Sequence, residues 1–127
     1  MSSPFDASHG PILVQAEVTG PARSLTLQLI LDTGATTSLL NEAVLLALGY
    51  DLASVTDRAQ MTTGSLVTSV PRVVLTRLTA LGRHRFGFPV LAHTLPVSAS
   101  VHGLLGLDFL REGVLTIDFR AGQIMLG

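Results

Sequence analysis

A chain of 127 residues fits one compact domain, and its 47% apolar and 13% charged residues leave apolar surface for a subunit partner to cover. The net charge is −1 and the eight basic residues, all Arg, scatter from Arg23 to Arg120, which excludes the basic footprint of a nucleic-acid or anionic-membrane binder. With no Cys, disulfides, thiolate zinc sites and Cys nucleophiles are excluded as well.

Residues 1–10 read as a polar, loosely held tail, with the domain itself over 11–127. ILVQAEV at 12–18 and LTLQLIL at 25–31 predict two strands joined at Gly20-Pro21 as a hairpin. The second strand runs directly into Asp32-Thr33-Gly34, and a further β-rich piece follows over 36–40. Asn41 stands where a side-chain N-cap belongs, Glu42 suits a first turn and Gly49 a C′ position, so the spacing predicts a helix over 42–48. Residues 60–70, rich in β-branched side chains, predict a hairpin with Gly64 at its tip. Strands follow at 72–79 and 84–91 about Leu81-Gly82-Arg83, then one helical turn at 108–112 stopped by Gly113. The last strands, 114–119 and 123–126, join across Arg120-Ala121-Gly122. The fold class expected is all-β with one or two short helices. A weak duplication is visible in it: strand, Asp32-Thr33-Gly34 and helix in the first half, then strand, Leu104-Leu105-Gly106 and helical turn in the second.

No apolar stretch approaches the roughly 18 residues of a spanning helix. The first residues, MSSPFDASHGP, lack the basic and apolar regions of a signal peptide. The expectation is a soluble, cytoplasmic protein that engages neither membrane nor nucleic acid.

The strongest chemical signal is LILDTGATTSLL, residues 29–40. A carboxylate at the end of a very apolar strand is costly to bury and needs hydrogen bonds or a shared proton. Gly34 lets the backbone approach closely, Ala35 keeps the space small, and Thr33, Thr36, Thr37 and Ser38 supply hydroxyls that can orient a carboxylate. Taken alone, Asp32 also suits a strand-end turn in which it caps nearby N–H groups. Asp108, just before Phe109-Leu110, reads as a helix N-terminus or else as an intrachain second carboxylate. Asp118, between Ile117 and Phe119, reads as solvent-facing. His9, His84, His93 and His102 have no metal-ligand spacing, and no Ser has a GxSxG setting.

Leu31-Asp32-Thr33-Gly34-Ala35, with Ser38 three residues on, resembles the active-site loop of the retropepsin-like aspartic proteases, which include the retroviral and retrotransposon enzymes. Leu104-Leu105-Gly106 resembles that family's hydrophobic-hydrophobic-Gly segment, and the Gly64 hairpin lies between the two, where the family carries its flap. The resemblance implies a closed, barrel-like β domain and an aspartic endopeptidase without metal or other cofactor. It makes Asp32 the catalytic carboxylate, with Thr33 bonding across the dyad and Gly34 giving the tight turn and a nearby N–H. Ala35, Met61, Thr62, Thr63, Gly64, Ser65 and Leu66 would contact a polypeptide substrate. Where retroviral members carry Arg and then Asn or Asp after the downstream glycine, this chain has Leu107-Asp108, so the family's Arg ion pair is not implied. The reaction needs one carboxylate to take a proton from water and one carboxylic acid to protonate the carbonyl oxygen. A single Asp-Thr-Gly therefore implies a homodimer across a two-fold axis. The alternative is a peptide-binding or dimerisation module that keeps the fold without cutting.

Overall fold

Alternation of apolar and polar side chains sets the inside and outside of the β framework. In the segment Leu13–Thr19, Val14, Ala16 and Val18 are buried, and Gln15 and Glu17 between them are exposed. The structure, a computed structural model, describes residues 1–95 and 100–127 (for Thr63, the backbone). Its first half contains β1 (Ser2–Pro4), β2 (Leu13–Thr19), β3 (Ser24–Leu31), β4 (Leu39–Leu40), α1 (Glu42–Ala47) and a 3-10 turn at Leu52–Ser54. Its second half contains β5 (Arg58–Thr63), β6 (Leu66–Ala80), β7 (Arg83–Ala92), β8 (Gly103–Leu105), α2 (Leu107–Leu110), β9 (Leu115–Asp118) and β10 (Gln123–Leu126).

Strands β2-β3-β8-β4-β7-β6 pair in that order, and β6 returns to pair with β2, closing a six-stranded barrel with no free edge between its members. The strand β6 is long enough to serve two purposes. Its second half belongs to the barrel wall, and its first half carries β5 as a hairpin beyond the wall, in register from Arg58↔Pro71 to Thr63↔Leu66. Between 60–70 and 72–79 the sequence suggests separate strands, yet β6 runs unbroken through Pro71. Proline has no N–H to give, and here it stands where the β5 ladder ends. Beyond it, Arg72 N–H goes to the Asp57 carbonyl at 2.9 Å and Thr76 N–H to the Tyr50 hydroxyl at 3.1 Å. Pairing with β2 then begins at Arg77.

Two turns follow the residue chemistry read from the sequence. Gly64, at φ 60°, is the first of two residues between β5 and β6, a left-handed position that suits glycine. Gly49 ends α1 at φ 102°, its N–H on the Leu46 carbonyl and that of Tyr50 on Leu45, the paired bonds of a Schellman cap. The start of that helix differs from expectation. The Asn41 side chain caps nothing; it donates to the Val101 carbonyl at 3.1 Å and accepts from Leu95 N–H at 3.4 Å. The helix is thereby tied to a segment more than 50 residues away.

Residues 1–10 also differ from the loose tail expected of them. Ser2–Pro4 is a strand paired with β10 in a three-stranded sheet, β1-β10-β9, and the Phe5 ring meets Phe119 edge-on at 5.3 Å. The main core fills the barrel around Leu29, Leu75, Leu78, Leu105 and Phe109. A smaller cluster of Leu39, Val70 and Leu91, flanked by Met61 and Leu104, lies beneath the β5–β6 hairpin. Among the described residues no helix is long and apolar enough to cross a membrane.

Candidate active site

The apolar run of β3 delivers Asp32 to the end of a barrel strand. β3 and β8 lie parallel with Leu31 opposite Leu105, and Asp32 N–H donates to the Leu105 carbonyl at 3.0 Å. The two segments that drew attention in the sequence, 74 residues apart, are thereby brought side by side. Asp32 is half-buried, and Oδ1 accepts the Gly34 N–H at 2.9 Å. The turn closes with Ala35 N–H on the Asp32 carbonyl at 3.2 Å. A Cβ on Gly34 would stand 3.1 Å from the same Oδ1, so glycine here keeps the carboxylate uncrowded. Thr33 and Gly34 are exposed beside it.

The loop from Asp32 to Ser38 is stitched to the β8–α2 junction. Leu107 N–H donates to the Ala35 carbonyl at 2.8 Å and Asp108 N–H to Thr36 at 3.2 Å. A Cβ at Gly106 would lie 2.7 Å from the Ala35 carbonyl oxygen, so the two backbones meet only because that residue is glycine. Ser38, 1% exposed, does orient a carboxylate, but the carboxylate is that of Asp108. Its N–H reaches Asp108 Oδ2 at 2.9 Å and its hydroxyl reaches Oδ1 at 2.7 Å. For Asp108 this favours the structural reading over the second-acid one.

A cleft of about 410 Å³ opens above Asp32. Asp32, Gly34, Ala35, Thr36 and Thr37 line its floor, Gln60, Met61 and Thr62 come from the hairpin, and Leu39, Leu91, Leu95 and Leu104 form its apolar side. Of the residues the sequence singled out, Asp32, Gly34, Ala35, Thr36, Thr37, Met61, Thr62 and Leu104 thus come together. Thr33 lies outside the lining, on the exposed face of the loop, and Gly64, Ser65 and Leu66 are exposed at the hairpin tip. Thr63 closes β5 opposite Leu66. Asp108 does not line the cleft. Asp118 is exposed, as expected, and accepts the Ala121 N–H at 2.9 Å in the turn between β9 and β10.

Sequence reasoning missed Leu39, Leu91 and Leu95 as part of the cleft. The first two belong to parallel neighbours, Leu39 opposite Leu91, whose pairing depends on the barrel closing. A larger hollow of about 530 Å³ lies between β1 and the outer face of β2, remote from Asp32 in its lining. Among the described residues no cluster of three or more His, Asp or Glu is arranged to hold a metal.

A six-stranded closed barrel with an Asp-Thr-Gly turn at a strand end, backed by a second glycine segment, defines the class of the retropepsin-like acid proteases. Residues 14–109 match the family model described as aspartyl protease, and the chain belongs to that family. Solved structures that share the fold include the following two. A retropepsin-like aspartic protease from Rickettsia conorii matches with a TM-score of 0.71 at 18% identity, over 99% of this chain and 90% of that one. The retroviral protease-like domain of Ddi1 from Leishmania major matches with a TM-score of 0.54 at 15% identity, over 94% and 96%. No curated protein matches in sequence.

Proposed function

We propose that the chain is an aspartic endopeptidase whose working form is a homodimer, each protomer contributing Asp32 to one dyad. The observation that carries this reading is the Asp32 carboxylate on the floor of the cleft, one to a chain, oriented by Gly34 N–H and flanked by exposed Thr33 and Gly34. With a second Asp32 opposite, one carboxylate removes a proton from water as the water oxygen bonds to the peptide carbonyl carbon. The protonated partner gives its proton to the carbonyl oxygen, and collapse of the tetrahedral diol passes a proton to the leaving nitrogen. Support for a second copy also comes from β9. It ends the three-stranded sheet, so its outer edge has no strand partner among the described residues, and exposed Val114 and Phe119 flank it.

In this reading the β5–β6 hairpin is the flap, and Ala35 and residues 61–66 contact an extended polypeptide. Met61, Leu39, Leu91 and Leu104 favour apolar side chains beside the cleaved bond. The direct test is incubation with casein at acidic and neutral pH, with and without pepstatin. Two carboxylates that share one proton give a rate maximum at about pH 4–6. A rate that keeps rising above neutrality, or that a chelator abolishes, contradicts the mechanism. Binding of casein peptides without cleavage selects the non-catalytic peptide-binding module instead.

The flap assignment has its own test in Gly64→Val. No atom lies within 4 Å of a Cβ there, but φ 60° strains a β-branched residue, by roughly 1–2 kcal/mol. The strain falls on the exposed tip. The expected result is turnover reduced about fivefold through slower closure, with the barrel's melting midpoint nearly unchanged. Unaltered turnover makes the hairpin scaffold only.

A further inference from the structure

Ser38 is the one polar side chain in the buried core of the described residues, and its partners form a closed set. Gly106 N–H donates to Ser38 Oγ at 2.9 Å, and that hydroxyl donates to Asp108 Oδ1 at 2.7 Å. Phe109 N–H reaches the same Oδ1 at 2.9 Å, and Ser38 N–H occupies Oδ2 at 2.9 Å. Every group aimed at Asp108 is therefore a donor, and only a carboxylate accepts them all. An amide of the same shape would turn its NH2 toward a donor and leave a buried hydrogen unpaired.

The consequence runs to Asp32 along seven residues. The loop is fixed at its start by Asp32 N–H on Leu105, in its middle by Ala35 and Thr36 carbonyls on the first turn of α2, and at its end by Ser38 on Asp108. The far end of α2 is held in turn. Arg85 Nη2 donates to the Phe109 carbonyl at 3.1 Å, and its guanidinium carbon lies 5.5 Å from the centre of the Phe109 ring. The loop thus rests on a strut anchored to β7.

We propose that Asp108 is a positioning residue that acts through Ser38 to hold the Asp32 loop in its productive geometry, and that it takes no part in proton transfer. The proposal rests on the aspartic protease reading for what the geometry serves, but the latch itself is measurable without turnover. The variants are Asp108→Asn, Ser38→Ala, their double and Asp108→Glu, with Asp32→Asn as reference. Each is assayed for kcat and KM on an apolar peptide across the acidic range, and for amide hydrogen exchange.

Displacing a catalytic group by about 1 Å can lower kcat about 100-fold, and a loss of about 30- to 100-fold covers a shift of up to that size. That loss is expected for Asp108→Asn and for Ser38→Ala, with KM within about threefold and the pH optimum unmoved. The double variant is no worse than the poorer single because both break one linkage, and Asp108→Glu, which keeps the charge, recovers part of kcat. Exchange at the Gly34 and Gly106 amides accelerates while β2 and β3 keep their protection. Three results overturn the proposal: Asp108→Asn as inactive as Asp32→Asn with a reshaped pH profile, unchanged kcat with unchanged exchange at Gly34, or exchange accelerated evenly through the barrel. If wild type cleaves nothing, the protease reading fails, and exchange at Gly34 in Asp108→Asn still decides the latch.

Discussion

Asp32→Asn is expected to lower kcat/KM by about 10³-fold or more while leaving the melting midpoint within a few degrees of wild type. Asparagine keeps the size of the side chain, and its Oδ1 still accepts the Gly34 N–H that orients Asp32. What disappears is the capacity to take a proton from water and hand one on, which contributes about 10²–10⁴-fold in general acid–base catalysis. The side chain is half-buried at a strand end and belongs to neither hydrophobic cluster, so folding loses little. Substantial activity in this variant, measured with peptide substrate and checked for contaminating protease with pepstatin, removes Asp32 from the chemistry.

The largest effect on stability is expected from Gly103→Ala. Gly103 is the first residue of β8, wedged between β3 and β4, and a methyl group there falls on the Leu39 carbonyl oxygen, with Leu40 Cα only 3.0 Å away. Both obstacles are backbone of a paired strand, so neither can swing aside as a side chain would. Overpacking at such a site costs about 3 kcal/mol or more, which for a domain of this size lowers the melting midpoint by roughly 10 °C. Thermal unfolding followed by circular dichroism checks it. A midpoint equal to wild type would mean that β8 is not held between β3 and β4 as described. The contrast with Gly64→Val is instructive: one added side chain meets open space and strains only its own backbone, the other meets a wall.

Where order was local, the sequence carried it. The alternation in β2, the apolar run of β3, the Gly49 helix stop and the Gly64 turn each depend on neighbours within a few residues, and each lies close to where its pattern predicts. The grouping of the candidate residues was legible for the same reason: Asp32, Gly34 and Ala35 form one turn, and Met61 and Thr62 one strand. What escaped was set by pairings remote in sequence. Asn41 has the composition of an N-cap, but Val101 and Leu95 compete for its side chain and win. The N-terminal strand is three residues long and takes its order from β10, some 120 residues on. Ser38 was read as a partner for Asp32 because they share a loop; the parallel pairing of β3 with β8 brings Asp108 to it instead. Gly103 offered no signal at all, because its neighbour across the β8–β4 ladder is more than 60 residues earlier.

One measurement bears most directly on the proposed shared dyad: subunit exchange between wild-type and Asp32→Asn chains. Random pairing at equal amounts leaves about a quarter of the dimers with two native aspartates. Activity per wild-type chain then falls to about half and goes on falling as mutant is added in excess, while dilution of wild type alone lowers specific activity by mass action. With exchange verified by an independent label, activity per wild-type chain that stays constant in excess mutant would contradict a site built from two Asp32 side chains.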